Sequence, residues 1–168
     1  ILEPDALEMI PYKQEFDFSQ DLFPRMLKEG MPLYGYIAEG YWRDVGNLSE
    51  YLNGQRDALK GSLKLTHNGA ELENYTTGHN AKIAPSVKFI GSNVIGNNSE
   101  ISEHSELNNC VIGDNVKIGA GVKMNNVTIW NNCEIGDFVE MTNDVICNNC
   151  KIGDYAHILE NVFIADGC

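Results

Sequence analysis

Asp44 is the residue whose setting most suggests chemistry. It stands in GYWRDVGNLSEYL, residues 40–52, between a Trp-Arg pair and a Val-Gly step and directly before a predicted helix. A carboxylate in this place is a hard oxygen ligand of the kind that Mg²⁺ prefers, but it is also a common turn or capping residue. The residue types alone favour the turn or cap, because acids before helices are frequent.

A second candidate site is the pair Cys147-x-x-Cys150, which has the spacing of half a zinc knuckle. No second cysteine pair or set of spaced histidines completes a ligand set, so we do not interpret this spacing as a metal site. The chain has five cysteines, an odd number, and shows no secretory signal. We therefore expect free thiols and a cytoplasmic protein.

The acidic composition narrows the possible partners. The 168 residues include 24 Asp and Glu against 12 Lys and Arg, a formal net charge of −12, which argues against nucleic-acid binding. No apolar run approaches the ~18 residues of a membrane span, so no membrane association is expected. Because the chain starts at Ile1 rather than at methionine and stops at Cys168 partway through a repeat, we expect it to be a piece of a longer protein.

The elements that precede Asp44 are predicted to be mixed α/β. Pro4 is expected to open a short helix. Ser19 is expected to cap a second helix that ends at Glu29. Residues 33–39 alternate between apolar and polar positions like a strand.

The helix that follows Asp44 has a capping-box-like start, because Glu50 stands three residues after Asn47. This helix is predicted to run to Gly61, where the α/β segment, residues 1–61, ends. Residues 62–82 show little periodicity and are predicted to be a linker or an irregular first turn of the next segment.

A repeat of 17 residues dominates residues 83–168. Three sets of apolar residues recur at this spacing: Ile95, Ile112 and Ile129; Ile101, Ile118, Ile135 and Ile152; and Leu107, Met124, Met141 and Ile158. Within each period these positions lie 6, 6 and 5 residues apart. Three apolar positions per repeat predict a three-sided coil, with one short strand per side and a rise of ~4.8 Å per coil.

Alignment of the coils places small residues and asparagines in columns. An inward column contains Ser99, Val116, Cys133, Cys150 and, one residue late, Cys168. Two adjacent columns contain Asn97, Asp114, Asn131 and Asn148, and beside them Asn98, Asn115, Asn132 and Asn149. We expect the cysteines to pack as small core residues and the asparagines to form one corner with ladder hydrogen bonds.

Phrases such as IGDNVK, IGAGVK and IGDFVE resemble the hexapeptides of the left-handed parallel β-helix family. The resemblance covers residues 83–168 and implies the left hand of the coil. The last coil is expected to be truncated, and its unpaired strand edges favour either a homo-oligomer formed through the β-helix or a continuation that is missing from this sequence.

Some members of this β-helix family are acyltransferases with a catalytic histidine. The histidines of this chain are His67, His79, His104 and His157. Because the 17-residue register is unbroken from Ile95 to Ile158, and His104 and His157 fall at corner or outward positions, surface histidines are favoured.

Residues 1–61 resemble the last third of the sugar-1-phosphate nucleotidyltransferase domain. The resemblance rests on ILEPDALEMIP, on FDFSQDLFPRMLKEGMPLYGYIAEGYWRDVGN and on LSEYLNGQRDALKG. Mannose-1-phosphate guanylyltransferases are its nearest members, including those fused to a β-helix and a phosphomannomutase-like domain. The expected fold is therefore the α/β, Rossmann-like C-terminal remnant of a nucleotidyltransferase domain, followed by a left-handed parallel β-helix.

The resemblance implies that Asp44, in the step Trp42-Arg43-Asp44-Val45-Gly46, helps to hold a catalytic Mg²⁺. In these enzymes a sugar-1-phosphate oxygen attacks the α-phosphorus of a nucleoside triphosphate and pyrophosphate leaves. GDP-mannose is the expected product. Trp42 is expected beside the sugar pocket, although from its residue type alone it is more often part of a core. Gly46 would let the backbone approach the substrate closely.

The Gly-rich triphosphate-binding signature and the other metal aspartate of the family lie upstream of the resembling region and are not in this sequence. The fragment itself is therefore expected to be inactive. Two alternatives stay open: an acyltransferase carried by the β-helix, and a non-catalytic regulatory subunit related to the nucleotidyltransferases.

Overall fold

The computed structural model describes residues 1–63, 70–71 and 75–168. The chain divides into two compact units, Ile1–Gly40 and Tyr41–Cys168. Part of the predicted linker, residues 64–69 and 72–74, lies outside the described residues, and so does His67.

The first unit is a small helical cluster. It contains α1 (Pro4–Glu8), a π-helical turn (Phe18–Leu22) and α2 (Phe23–Lys28). Pro4 opens α1, as predicted. The core of this first unit is formed by Ala6, Leu22 and Met26, all buried.

The predicted cap of the second helix is wrong. Asp17, not Ser19, caps this segment, since its Oδ1 accepts hydrogen bonds from the backbone N–H of Ser19 at 2.7 Å and of Gln20 at 2.8 Å. The helical segment begins at Phe18, so Ser19 lies inside its first turn and the N-cap position falls to Asp17. The segment is also divided at Phe23 into π and α parts rather than forming one α-helix.

The strand predicted for residues 33–39 is also wrong. These residues have no regular secondary structure, and Tyr34 and Ile37 are each 92% exposed. A strand exists only where a neighbour completes its backbone hydrogen bonds, and no strand in the described part of the chain pairs with this segment.

In the second unit, the helix after Asp44 begins as predicted. It is α3 (Leu48–Leu59), and the Asn47 Oδ1 accepts the Glu50 backbone N–H at 2.9 Å. Gly61, just beyond the helix end, has a φ of +77°. This left-handed conformation is typical of a glycine that terminates a helix.

The rest of the second unit is a three-sided parallel β-helix, as the repeat predicts. The first sheet contains β1 (Ala70–Glu71), β2 (Tyr75–Thr77), β5 (Asn93–Ile95), β8 (Val111–Ile112), β11 (Thr128–Ile129), β14 (Val145–Ile146) and β16 (Phe163–Ile164). The second sheet contains β3 (Lys82–Ile83), β6 (Glu100–Ile101), β9 (Lys117–Ile118), β12 (Glu134–Ile135) and β15 (Lys151–Ile152). The third sheet contains β4 (Lys88–Ile90), β7 (Glu106–Asn108), β10 (Lys123–Asn125) and β13 (Glu140–Thr142). Only the β1–β2 pair among these strands is antiparallel.

The register confirms the 17-residue period through the middle of the β-helix. Ile95 pairs with Ile112, and Ile129 pairs with Ile112 and Ile146. At both ends the step is 18 residues, as in the pair of Ile146 with Ile164. The first coil begins inside the segment predicted as a linker, because β2 pairs in parallel with β5.

The predicted corner of asparagines is confirmed. Asn98, Asn115, Asn132 and Asn149 all have left-handed backbone angles, with φ between 55° and 59°. Their side chains form a ladder with N···O distances of 3.1 to 3.3 Å. In the adjacent column each side-chain oxygen accepts the backbone N–H of the coil before it, as Asp114 Oδ1 does from Asn97 at 2.6 Å.

The inward cysteine column is confirmed for two of its three members. Cys133 and Cys150 are buried in the core of the β-helix, whereas Cys168 is exposed, since no described coil lies beyond it.

None of the helices in the described ranges is long and apolar enough to cross a membrane.

The outward faces of the second and third sheets carry alternating charges. The registers align Lys82, Glu100, Lys117, Glu134 and Lys151 on the second sheet, and Lys88, Glu106, Lys123 and Glu140 on the third. Ion pairs join neighbouring coils, for example Lys123 with Glu140 at 3.1 Å. The first sheet differs, because its outward positions include Val111, Thr128 and Val145.

Candidate functional site around Asp44

Asp44 lies in an open cleft of about 500 Å³ at the start of α3. Six residues line this cleft: Trp42, Arg43, Asp44, Gly46, Asn47 and Glu50. The three residues that the sequence singled out, Trp42, Asp44 and Gly46, therefore lie together on one surface. The sequence did not indicate that the other three, Arg43, Asn47 and Glu50, would line a site.

The Asp44 side chain is exposed and makes no hydrogen bond or ion pair with any residue in the described part of the chain. The cap of α3 is provided by Asn47. The capping explanation of Asp44 is therefore wrong, and its two carboxylate oxygens remain available to a ligand in the cleft.

Arg43 lies beside Asp44 in the sequence but pairs with other acids. Its Nη1 contacts Glu50 Oε2 at 2.5 Å and its Nη2 contacts Asp57 Oδ2 at 2.7 Å, both on α3. Its Nε donates to the Tyr41 hydroxyl at 3.0 Å, and that hydroxyl donates to Asp57 at 2.8 Å. These contacts fix the segment before Asp44 against one face of the helix.

In this network, the cation of Arg43 and the carboxylate of Asp57 each stabilise the charged form of the other. The hydrogen bond to Tyr41 and the contacts with Asp57 and Glu50 raise the pKa of Arg43 above its ordinary value. Arg43 and then Tyr41 hold the pKa of Asp57 below its usual range. Sequence reasoning missed Arg43, although Glu50 and Asp57 are seven residues apart and so share one face of a helix.

Neither Trp42 nor Gly46 is required by the packing of the described residues. The Trp42 side chain is 81% exposed, so it is not part of a core. A Cβ added at Gly46 would meet no atom within 4 Å, and Gly46 has no positive φ. Neither residue type is therefore explained by packing within the described chain.

Helix α3 is attached to the outward face of the first sheet. Leu52 is 3% exposed and packs against Val145 and Cys147. Val145 and Cys147, on the outward face of this sheet, thus form a core with α3, which explains why these positions lack the charges of the other two sheets.

Polar contacts surround this small core. Arg56 donates from Nε to Asn126 Oδ1 and from Nη2 to Asn143 Oδ1, both at 2.8 Å. The Thr128 hydroxyl contacts Gln55 Oε1 at 2.5 Å. The helix that begins at the Asp44 cleft therefore has a defined position on the β-helix.

The other candidate sites do not assemble. Cys150 lies inside the β-helix, whereas Cys147 lies on its outer face under α3. His79, His104 and His157 are exposed, as expected of surface histidines, and His157 pairs with Glu140 at 3.4 Å. Among residues 1–63, 70–71 and 75–168, no group of three or more His, Cys, Asp or Glu could hold a metal ion by itself.

Comparisons with known proteins agree with both halves of the fold. Residues 69–168 match the family model described as "EIF2B subunit epsilon LbH domain", where LbH denotes a left-handed β-helix. The chain belongs to this left-handed β-helix family. Residues 1–61 match the family model described as "Nucleotidyl transferase", so the β-helix follows a stretch of a nucleotidyltransferase domain.

The curated relatives are sugar-1-phosphate nucleotidyltransferases. The chain is 28% identical to a mannose-1-phosphate guanylyltransferase of Mycobacterium tuberculosis over 112 residues, which is 64% of the chain and 30% of the relative. It is 34% identical to a UTP–glucose-1-phosphate uridylyltransferase of a Synechocystis species over 64 residues, or 38% of the chain and 16% of the relative. It is 34% identical to a glucose-1-phosphate adenylyltransferase of Clostridium botulinum over 92 residues, or 55% of the chain and 23% of the relative. The chain thus spans less than a third of the length of these nucleotidyltransferases.

Proposed function

We propose that this chain supplies one Mg²⁺ ligand, Asp44, to a sugar-1-phosphate nucleotidyltransferase, and that the protein containing it makes GDP-mannose from GTP and mannose 1-phosphate. The observation that carries the proposal is the carboxylate of Asp44, exposed in a cleft and unpaired within the described chain. The relatives named above act on three different nucleotide and sugar combinations, and the family likeness supports the reaction class.

The described residues fit a magnesium ion of this kind. Mg²⁺ binds oxygen ligands and often takes only one or two protein carboxylates, with substrate phosphates and water completing its shell. Asp44 offers one such carboxylate, while the other acid of the cleft, Glu50, is held by Arg43. When bound, the ion would offset negative charge on the phosphoryl oxygens.

The residues of this chain would then have separate tasks. Asp44 would hold its carboxylate toward the cleft, Arg43 would fix the segment through α3, and the exposed indole of Trp42 would cover one side of the sugar. The triphosphate-binding residues expected upstream would complete the site. Displacement reactions of this type depend chiefly on positioning and charge compensation.

The test uses the whole protein that contains this chain. Pyrophosphate release is measured over a grid of nucleoside triphosphates and sugar-1-phosphates at several Mg²⁺ concentrations, for wild type, Asp44→Asn and the control Asp5→Asn. Asp5 is an exposed acid of α1, outside the cleft. We expect GTP with mannose 1-phosphate to turn over, and Asp44→Asn to lower the rate by roughly 10²-fold or more while the fold and the control activity are kept. Equal rates for wild type and Asp44→Asn would refute the assignment of Asp44.

A second candidate is a non-catalytic subunit. It is favoured by the description of the model that matches residues 69–168, which names a subunit of a larger assembly. Absence of turnover over the whole grid, with an intact fold, would favour this alternative.

A further inference from the structure

Arg56 of α3 contacts both the β-helix and Asn53 of its own helix, which begins just after Asp44. Its guanidinium donates to Asn126 and to Asn143, and its Nη1 lies 3.3 Å from Asn53 Oδ1 one turn back on the helix. The Asn126 Nδ2 donates to Asn143 Oδ1 at 2.7 Å. One guanidinium thus bridges two successive coils.

The two asparagines that receive Arg56 are rigidly held. Asn126 is 4% exposed, and Asn126 and Asn143 have left-handed φ angles of 55° and 58° at a corner of the coil. The Asn143 N–H donates to the carbonyl of Asn125, the residue before Asn126, at 2.9 Å. Both acceptors of Arg56 therefore belong to a hydrogen-bonded corner of the β-helix.

Two other residues of α3 continue the connection toward the cleft, since Asn53 accepts from Arg56 Nη1 at 3.3 Å and donates from Nδ2 to Glu50 Oε1 at 3.4 Å. Asp57 contacts Arg43, and Arg43 also contacts Glu50. A continuous series of side-chain hydrogen bonds thus runs from the asparagine corner through Arg56, Asn53 and Glu50 to Arg43, the residue before Asp44. Hydrogen bonds to charged groups are the stronger ones in proteins, and two parallel contacts also fix direction.

We propose that Arg56 is a positioning residue for Asp44, and that the β-helix is the fixed base that aims this carboxylate into the cleft. The inference rests on the proposed function, because that function makes Asp44 a ligand of Mg²⁺ whose position matters. It gives the first sheet of the β-helix a part in the chemistry although no residue of that sheet lines the cleft.

The test uses two changes that break the same contact from opposite sides. Arg56→Met keeps the length of the side chain and removes the guanidinium. Asn143→Gly keeps the left-handed backbone and removes the acceptor. The matched control is Asn115→Gly, which removes an asparagine with a φ of 56° from a different corner, where the ladder joins coils and not α3.

Two measurements follow each variant. In the 168-residue chain, ¹⁵N relaxation gives order parameters for the backbone amides of residues 41–47, with no metal added. In the whole protein, the Mg²⁺ concentration for half-maximal rate is measured separately from the maximal rate. We expect both test variants to lower the order parameters from about 0.85 toward 0.6. We also expect the Mg²⁺ requirement to rise roughly tenfold or more, with the control at wild-type values in both.

The inference is overturned if both test variants fold and keep wild-type order parameters and Mg²⁺ requirement, or if Asn115→Gly changes them equally. If Arg56→Met does not fold, Asn143→Gly decides. The failure of the proposed function is distinguishable, because it shows as an unchanged Mg²⁺ requirement in Asp44→Asn. The order parameters would still show whether Arg56 orders residues 41–47.

Discussion

Replacing Gly136 by alanine should destabilise the β-helix, whereas the same change at Gly153 should not. The two glycines occupy the same position of successive coils, 17 residues apart, and neither has a positive φ. A Cβ at Gly136 would lie 2.6 Å from the Asp154 backbone nitrogen and 2.8 Å from the Gly153 carbonyl carbon. A Cβ at Gly153 would meet no described atom within 4 Å. In the 168-residue chain, which is the form to be compared, a described coil stacks on Gly136 and none stacks on Gly153.

The magnitude follows from what would have to move. Two of the three atoms nearest to a Cβ at Gly136 are backbone atoms, and the third is Asp154 Oδ1. The two coils are joined there by hydrogen bonds of 2.9 Å from Gly136 N to Ile152 O and from Asp137 N to Asp154 Oδ1. Relief of the contact must stretch these bonds, so we expect a loss of about 1–3 kcal/mol, as for other overpacked sites. At Gly153 the alanine restricts only the unfolded chain, which should give a gain of about 0.4–1 kcal/mol.

The assay is equilibrium unfolding in urea followed by far-ultraviolet circular dichroism. Wild type, Gly136→Ala and Gly153→Ala are compared, and the free energy of unfolding is extrapolated with the slopes checked for equality. Two alanines that shift the midpoint equally would refute the argument, because the stacking of backbone on backbone would then not be the reason for glycine in this column.

Three further predictions concern buried groups. Burial raises the pKa of the Asp144 carboxyl, opposed by hydrogen bonds from two backbone N–H groups, so the folded chain keeps this proton to higher pH than the unfolded chain. The contribution of Asp144 to the free energy of unfolding should therefore fall as the pH rises from the pKa of an unfolded aspartate, about 3.9, through the raised pKa of the folded chain. If the free energies of unfolding of wild type and Asp144→Asn differ by the same amount at every pH, the prediction is contradicted. Of the five thiols, only Cys168 should react rapidly with a disulfide reagent at pH 8, because the other four are buried and burial raises the pKa of Cys110 to about 11. Rapid reaction of a second thiol in the native chain would contradict it. Leu52→Ala should destabilise the second unit by about 2–5 kcal/mol and speed the labelling of Cys147, which α3 covers, while Cys110 stays protected as the internal control. Equal acceleration of both thiols would show that the whole β-helix had loosened.

The coil could be predicted from the sequence because each coil stacks on a copy of itself. A parallel stack with one repeated register turns long-range pairing into a short sequence period, so the spacing of Ile95, Ile112 and Ile129 is also their pairing. The asparagine corner was predictable for a similar reason, since left-handed backbone angles favour asparagine and the columns repeat.

The failures occurred where a partner, rather than a pattern, decides the structure. The alternation of residues 33–39 shows which side chains could share a face, but pairing needs a second strand, and none of those described supplies it. The choice of Asp17 over Ser19 as a cap depends on how the chain approaches the helix, since several capping residues lie close together.

The sequence contains an indication that a face of the first sheet is covered, and the 17-residue period alone does not reveal it. The outward positions of two sheets carry alternating Lys and Glu, whereas those of the first sheet are Val111, Thr128 and Val145. An exposed apolar row would be costly and prone to association, so such a row indicates a covered face. What covers it could not be read in advance, because Arg56 and its asparagine acceptors are some 70 to 87 residues apart in the sequence.

The arrangement of Arg43 bears directly on the role of Asp44. A guanidinium one residue away would be the natural partner of a carboxylate that only had to be satisfied within the fold. Instead, the donors of Arg43 are taken by Tyr41, Glu50 and Asp57, so two other acids neutralise this cation. The cleft therefore retains an unpaired negative charge at Asp44 without a competing positive charge beside it. A surface turn needs no such separation, whereas a site for a divalent cation does, since a nearby free guanidinium would both repel the ion and occupy its ligand.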